Sequence, residues 1–483
     1  MVGVECGYGG GDGKRSEFLL FNGPGVAEKR GVKSTRRAAR AVLCLSVLAV
    51  LGGCAASRTE HEGASSAVSR RVGLAVRETR PGELVIPAGV DLKDGLGQDE
   101  AVMLALWNNA AFREQLMDLG LSHADLVQAE MLPNPTVSML IPVGAKPLEM
   151  TLRYPLEVLW LRPGRVSVAR LDEARATERL VQAALDLVRD VKVAFAEVLW
   201  ARERSRWAEE SAGLQRRIAE YMRARVRAGE TSPSDALQAE ADLAQASELA
   251  ARQRQELRIS GERLRQWVGM GLADWPESYE EEGLPGEFSK SVDACLSRAL
   301  AVRPDLRAAE LGVEAAGERM GLARKEAFAF SAGLNSKEIG TGAAKQLMTG
   351  PSLDVALPLL NQNQGGTAQA RARMEQAAKR YYAVRDRILL EVREGFARWQ
   401  MAHASQRQWR DEILAPLERA VHQAEGALAA GEVSPMTVAE VRRRWVDTRY
   451  KAASVDAEES RALAELERSI GKELADRSSL SLP

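Results

Sequence analysis

Four histidines are the residues of this 483-residue chain best suited to metal binding or proton transfer, yet His61, His123, His403 and His422 lie scattered, without metal-ligand spacing. No G-x-S-x-G turn exposes a serine nucleophile, and no G-x-x-x-x-G-K-[ST] loop offers its backbone to phosphates. The glycine-rich stretch at 7–13 has neither a strand pattern before it nor a helix pattern after it, so it does not read as a nucleotide loop. Carboxylates are plentiful on exposed helix faces, where solvation is their ordinary role. The sequence therefore assigns no catalytic residue, no metal ligand and no cofactor, and no enzymatic activity is expected.

Cysteine is more informative. Lys33, Arg36, Arg37 and Arg40 precede an apolar run over 41–51 and a small-residue exit, the three parts of a secretory signal. The run is too short to span a bilayer as a stable helix. It ends in Leu51-Gly52-Gly53-Cys54, which resembles the lipobox of bacterial lipoproteins. That resemblance implies that the Cys54 thiol is lipidated and that Cys54 becomes the mature N-terminus; the blander alternative is a plain signal peptide with an incidental cysteine. Residues 1–31 have no place in such a signal, and a translation start assigned too early accounts for them, so 1–53 is expected to be leader. Beyond the leader only Cys54 and Cys295 remain. A lipidated Cys54 leaves no partner for an internal disulfide, and Cys295 reads as a small apolar residue.

The elements that must position the remaining residues are helical. Ala, Glu, Leu and Arg dominate, 5% of residues are aromatic, and 66 basic residues nearly cancel 67 acidic ones. Such a composition points to long helices or coiled coil, and the near-zero balance argues against a nucleic-acid partner. Ala-Gly-Glu-Thr-Ser-Pro at 228–233 recurs as Ala-Gly-Glu-Val-Ser-Pro at 430–435, and its surroundings recur with it. Leu264, Val268 and Gly269 match Leu466, Ile470 and Gly471 at the same offset, while Val191 and Phe195 match Val392 and Phe396 at an offset one residue shorter. A whole unit is duplicated. Gly229 and Gly431 can end a helix in the left-handed conformation, Ser232 and Ser434 can cap the next, and Pro233 and Pro435 suit its first turn. Each hexapeptide reads as the tip of a helical hairpin.

Leu180, Ala184, Leu187, Val191, Phe195 and Val198 alternate steps of three and four, and Val384, Ile388, Val392, Phe396 and Trp399 answer them. These are seams for packing against other helices. A helix over 164–229 would run roughly 100 Å, a returning one over 232–270 roughly 60 Å and one over 98–132 roughly 50 Å. The second copy offers 366–430, 434–471 and 292–326, so each unit is expected to place a long helix beside a stack of two shorter ones. Between the shorter and the long helix, segments at about 134–157 and 328–359 alternate apolar with polar residues around turn residues and read as β-hairpins. Four strands cannot close a barrel; about eight is the smallest number that does, so closure requires more chains. Tyr154 and Trp160 are suited to an interfacial aromatic girdle.

Two helix-strand-strand-helix-helix repeats, the motif ending at Cys54, Arg303-Pro304-Asp305-Leu306, Pro358 leading into Asn-Gln-Asn-Gln-Gly-Gly at 361–366, and the paired Gly-Glu-x-Ser-Pro tips together resemble the TolC-type outer-membrane efflux proteins. The resemblance covers roughly 98–471. It implies a mainly α fold with a small β part, in which long antiparallel helical hairpins form a trimeric α-barrel tunnel and four strands per chain join a shared twelve-stranded outer-membrane β-barrel. It further implies a homotrimer set in outer-membrane lipid and conducting passively, with energy from an inner-membrane pump. A periplasmic adaptor protein would dock on the tips at Gly229, Ser232, Gly431 and Ser434. In these terms 54–97 is an N-terminal linker, 98–270 the first repeat, 271–291 an equatorial linker, 292–471 the second repeat and 472–483 a tail. Alanine rather than aspartate after Cys54 favours the outer membrane, again by resemblance. Two features depart from the family pattern: the first hairpin is short, and Asn109-Ala110 stands where the second repeat has Arg303-Pro304. The alternatives are a periplasmic adaptor lipoprotein, which would carry one helical hairpin among several β-rich domains, and a structural coiled-coil lipoprotein, which would carry no strands. The cargo, whether drug, metal, sugar or polypeptide, stays open.

Overall fold

A computed structural model describes residues 84–87, 90, 92, 95–141, 147–271, 279, 291–340 and 345–471. The chain divides into two compact units, 1–60 and 61–483, and all described residues belong to the second. The leader, Cys54, most of 271–291 and the tail lie outside the described residues.

The first repeat runs α1 (Gln98–Asn108), α2 (Ala110–Glu130), β1 (Thr136–Leu140), β2 (Glu149–Pro155), α3 (Val158–Arg227) and α4 (Pro233–Val268). The second runs α5 (Val292–Val302), α6 (Pro304–Lys325), β3 (Ala329–Ile339), β4 (Gln346–Ala356), α7 (Gln364–Gln408), a π-helical turn (Trp409–Leu414), α8 (Ala415–Ala429) and α9 (Pro435–Ile470). At 70 residues, α3 is about 105 Å long. It starts ahead of the stretch expected from the sequence, because Pro163 falls in its second turn, where the missing N–H costs one bond and the helix survives. Its seam from Leu180 to Val198 is buried throughout, packed with Leu104, Leu264 and Val268 from α1 and α4. In the second repeat Ile388, Val392 and Trp399 are buried with Leu466 and Ile470.

Neither shorter helix is continuous. The single helices expected over 98–132 and 292–326 each break at one residue, Asn109 (φ −64°, ψ 119°) and Arg303 (φ −62°, ψ 125°). The two breaks share one backbone conformation and differ in chemistry. Asn109 caps α2 by accepting from Phe112 N at 3.0 Å, whereas Pro304 disfavours helical geometry at the residue before it. Both side chains then tie the break to the end of the returning helix: Asn109 donates to the Trp267 carbonyl at 2.8 Å and Arg303 to the Ser469 carbonyl at 3.2 Å. Trp267 and Ser469 are equivalent positions of the two copies. Two residues beyond each lies a left-handed glycine, Gly269 or Gly471; a Cβ on Gly269 would fall 2.3 Å from the Asn108 carbonyl oxygen, so only glycine fits.

Arg303 carries most of the polar chemistry at its break. It is fully buried, paired with Asp305 at 2.7 Å and Glu391 at 2.6 Å, and Glu391 also receives Arg468 at 2.7 Å. Truncating one member of such a buried set would strand a charge, a loss of about 3–5 kcal/mol.

The second long helix departs from a uniform α-helix through its π turn at Trp409–Leu414. A π turn is what one inserted residue produces in an α-helix. Phe195 and Phe396 are 201 residues apart, while Gly229 and Gly431 are 202 apart, so the second repeat holds one extra residue between these landmarks. The π turn lies inside that interval.

The four strands form one antiparallel sheet in the order β1-β2-β3-β4, with β2 paired to β3 across the two repeats. The first hairpin does form, although its strands of 5 and 7 residues are shorter than the 11-residue strands of the second. Among the described residues no helix is long and apolar enough to cross a membrane.

Candidate functional site: hairpin tips and sheet faces

Each tip is built by the same hydrogen bonds. Gly229 (φ 73°) and Gly431 (φ 78°) are left-handed. The following amides reach back across the turn, Glu230 N to the Arg225 carbonyl at 2.9 Å and Glu432 N to the Ala427 carbonyl at 2.8 Å, which satisfies carbonyls that the helix end leaves open. The Ser232 and Ser434 hydroxyls then cap α4 and α9, accepting from Asp235 N at 3.3 Å and Thr437 N at 3.2 Å. The tips differ at that third position. The Asp235 carboxylate accepts from the Thr231 hydroxyl at 2.7 Å and from Ser232 N at 3.3 Å, and these bonds, the Thr231 one foremost, hold its carboxyl below the usual range. Thr437 instead shares a 3.0 Å hydroxyl contact with Ser434. One tip is thus acidic where the other is neutral.

The two tips are neighbours. Met436 and Ala439, at the start of α9, pack on Leu214, Ile218 and Ala219 of α3 and on Ala239 of α4. Beside this contact an apolar groove of about 240 Å³ runs past Tyr221, Leu428 and Met436, with Arg217 and Arg442 among its lining residues. The sequence had offered the turn residues only; the groove residues carry no motif, and their signal is the helical spacing of Leu214, Ile218 and Tyr221.

At the other end, the strand register sorts side chains onto two faces. Val137, Met139, Met150, Leu152, Leu334, Leu353 and Val355 share one face through the pairs Val137↔Leu152, Met139↔Met150, Leu152↔Leu334 and Phe330↔Val355. Most of these are well exposed, as for Val137 at 63% and Leu353 at 64%. The opposite face carries Thr136, Ser138, Thr151, Arg153, Asn335, Lys337 and Asp354, with ion pairs Arg153–Asp354 at 3.3 Å and Lys337–Glu149 at 2.6 Å, and near the hairpin turns it also exposes Leu140, Ile339 and Met348. Toward the turn of the second hairpin the apolar face itself becomes polar, at Ser336, Thr349 and Glu338. At the opposite border, Trp160 meets Phe330 edge-on at 5.3 Å, with Tyr154 on the same face of the sheet. A sheet with one mainly apolar and one mainly polar face suits a barrel wall between lipid and water.

Two of the histidines hydrogen-bond glutamates, His123 Nδ1 with Glu173 at 2.8 Å and His403 Nδ1 with Glu459 at 2.7 Å, and among the described residues no cluster of three potential metal ligands occurs. Cys295 is buried at 2% exposure in the second core.

A family model described as "Outer membrane efflux protein" matches residues 148–270 and 295–472. A curated relative, the cobalt-zinc-cadmium resistance protein CzcC of Cupriavidus metallidurans, is 24% identical over 410 residues, covering 83% of this chain and 96% of that one. Among solved structures, a membrane protein from Pseudomonas aeruginosa superposes with a TM-score of 0.62 at 18% identity, over 82% of this chain and 99% of that chain. The open state of the Neisseria gonorrhoeae MtrE outer membrane channel gives 0.59 at 15% identity, over 83% and 98%. These structures share the fold.

Proposed function

This chain belongs to the outer membrane efflux protein family, and on that premise we propose that three copies assemble into one passive conduit, with the sheets closing a twelve-stranded barrel and the helices a tunnel below it. The observation that carries the proposal is the sheet: it has one mainly oily face, one mainly polar face and two unpaired edges, β1 and β4. Within a membrane such edges demand closure, since each unsatisfied backbone group facing lipid costs several kcal/mol, on the order of 2–7. The Gly229 and Gly431 tips are the docking surface for a periplasmic adaptor that couples the conduit to an inner-membrane pump, and Cys54 carries the lipid that holds the mature N-terminus at the outer membrane. The protein works by conduction and not by catalysis.

Divalent transition-metal cations are the cargo to test first, because the curated relative is a cobalt-zinc-cadmium resistance protein. Purified protein inserted into a planar bilayer should open discrete ohmic conductance steps; a bilayer that stays sealed at saturating protein would reject the conduit. A strain lacking the chain should lose growth in cobalt, zinc or cadmium and regain it on complementation. Unchanged tolerance to all three would reject the metal cargo while leaving the conduit intact.

A further inference from the structure

A basic cleft of about 820 Å³ lies between α3, α6 and α7, immediately below the start of α7. Arg175, Arg319, Arg373, Lys379 and Arg380 line it, against the single carboxylate of Glu326. Arg319 is already paired with Asp172. Arg175 is the central group: its guanidinium lies on Gly312, where a Cβ would come within 3.5 Å of its Cζ, and its Nε is buried without a hydrogen-bond partner. Burial and the neighbouring Arg179, Arg380 and Arg319 push its pKa down, against the opposing pull of Asp172. The Nε is sealed from the cleft as well, so an anion there meets only the rest of the guanidinium; what calls for one is the gathering of like charges around an open cleft with a single lining carboxylate.

From Arg373 to Arg380 the cations extend along α7 by roughly 10 Å at 1.5 Å per residue, farther than one phosphate reaches. We propose that this cleft binds an anion bearing two or more phosphate groups, with Arg175 as the inner anchor and Arg373, Lys379 and Arg380 closing on the outer phosphates. Guanidinium forks match phosphate oxygens in geometry and charge. Because α3 belongs to the first repeat and α6 and α7 to the second, the bound anion clamps the two repeats together. The site is independent of the cargo proposed above.

Full-length protein purified in detergent, titrated with tripolyphosphate at constant ionic strength, should show saturable binding with one site per chain. Arg373→Gln combined with Lys379→Gln, both exposed, should weaken it at least tenfold with assembly unchanged, and Arg175→Gln combined with Arg380→Gln should abolish it. Nanodiscs identify the source of the phosphates: loss of tripolyphosphate binding in cardiolipin-containing discs but not in phosphatidylcholine discs assigns the site to a lipid headgroup, and equal binding in both assigns it to a soluble polyanion. No saturable binding, or equal binding by wild type and the exposed-pair variant, would overturn the proposal.

Discussion

Gly229 and Gly431 are left-handed, and a Cβ built on either meets nothing within 4 Å, so replacing each with valine strains only the backbone, by about 1–2 kcal/mol. The double variant should still assemble, because the barrel and seams lie elsewhere along the helices. If the tips dock the adaptor, export and adaptor cross-linking should fall at unchanged trimer abundance; full export from a correctly assembled double variant would reject docking. Cys54→Ser should abolish incorporation of labelled fatty acid, and persistent labelling would refute lipid attachment there. Asp456 on α9 gives a pH signature. Burial, and secondarily the adjacent Glu459, raise its pKa, while Gln406, Arg410 and Arg449 oppose them. A raised carboxyl pKa means that the folded state holds its proton more tightly, so the penalty is absent below the ordinary value of about 3.9, grows as pH rises and is full above the raised value. Asp456→Asn should therefore raise the unfolding temperature at neutral pH and leave it unchanged in acid. Parallel profiles for variant and wild type would contradict the assignment.

At the scale of the element, the π turn at Trp409–Leu414 decides how α8 meets α9. One residue added to an α-helix turns everything beyond it by about 100°. Taken up as a π turn, the extra residue leaves Val421 of α8 buried and Gly431 at its tip. Deleting Asp411 should therefore restore a plain helix like α3 and leave assembly largely intact, whereas inserting alanine after Val392 would rotate the buried seam away from Leu466 and Ile470. Trimer yield after mild extraction distinguishes the two; equal loss in both would show that the π turn is no register device.

At the scale of the molecule, α3 and α7 both pack against α6 and α9, while α2 and α4 pack on α3 and α8 packs on α9. One lateral edge is therefore α2 with α4, and the other α7 with α8. Exposed apolar residues mark both: Met117, Leu121 and Leu237 on one, Tyr382, Leu390 and Met401 on the other. Unlike edges join head to tail, and a rotation that closes gives a ring. Mass measurement of gently extracted protein should report three chains; a stable membrane-embedded monomer would defeat the barrel.

The repeats, the seams and the tips were legible in the sequence because each depends on local spacing: Leu180 to Val198 by helical period, Gly229 and Ser232 by turn chemistry. Even the π turn left a trace, in the one-residue slip between the Phe195–Phe396 and Gly229–Gly431 offsets. The break at Arg303 had a local signal in Pro304, which disfavours helix at the residue before it, whereas the break at Asn109 was not legible as a break. Asn109 interrupts its helix while bonding to the Trp267 carbonyl, a residue 158 positions away. The pairing of β2 with β3 likewise joins strands from different repeats, as with Leu152 opposite Leu334. The basic cleft gathers Arg175, Arg319 and Arg380 from three helices. Periodicity and turn chemistry act along the chain and are written there, whereas charge accumulation and cross-repeat pairing depend on distances in space, which only packing sets.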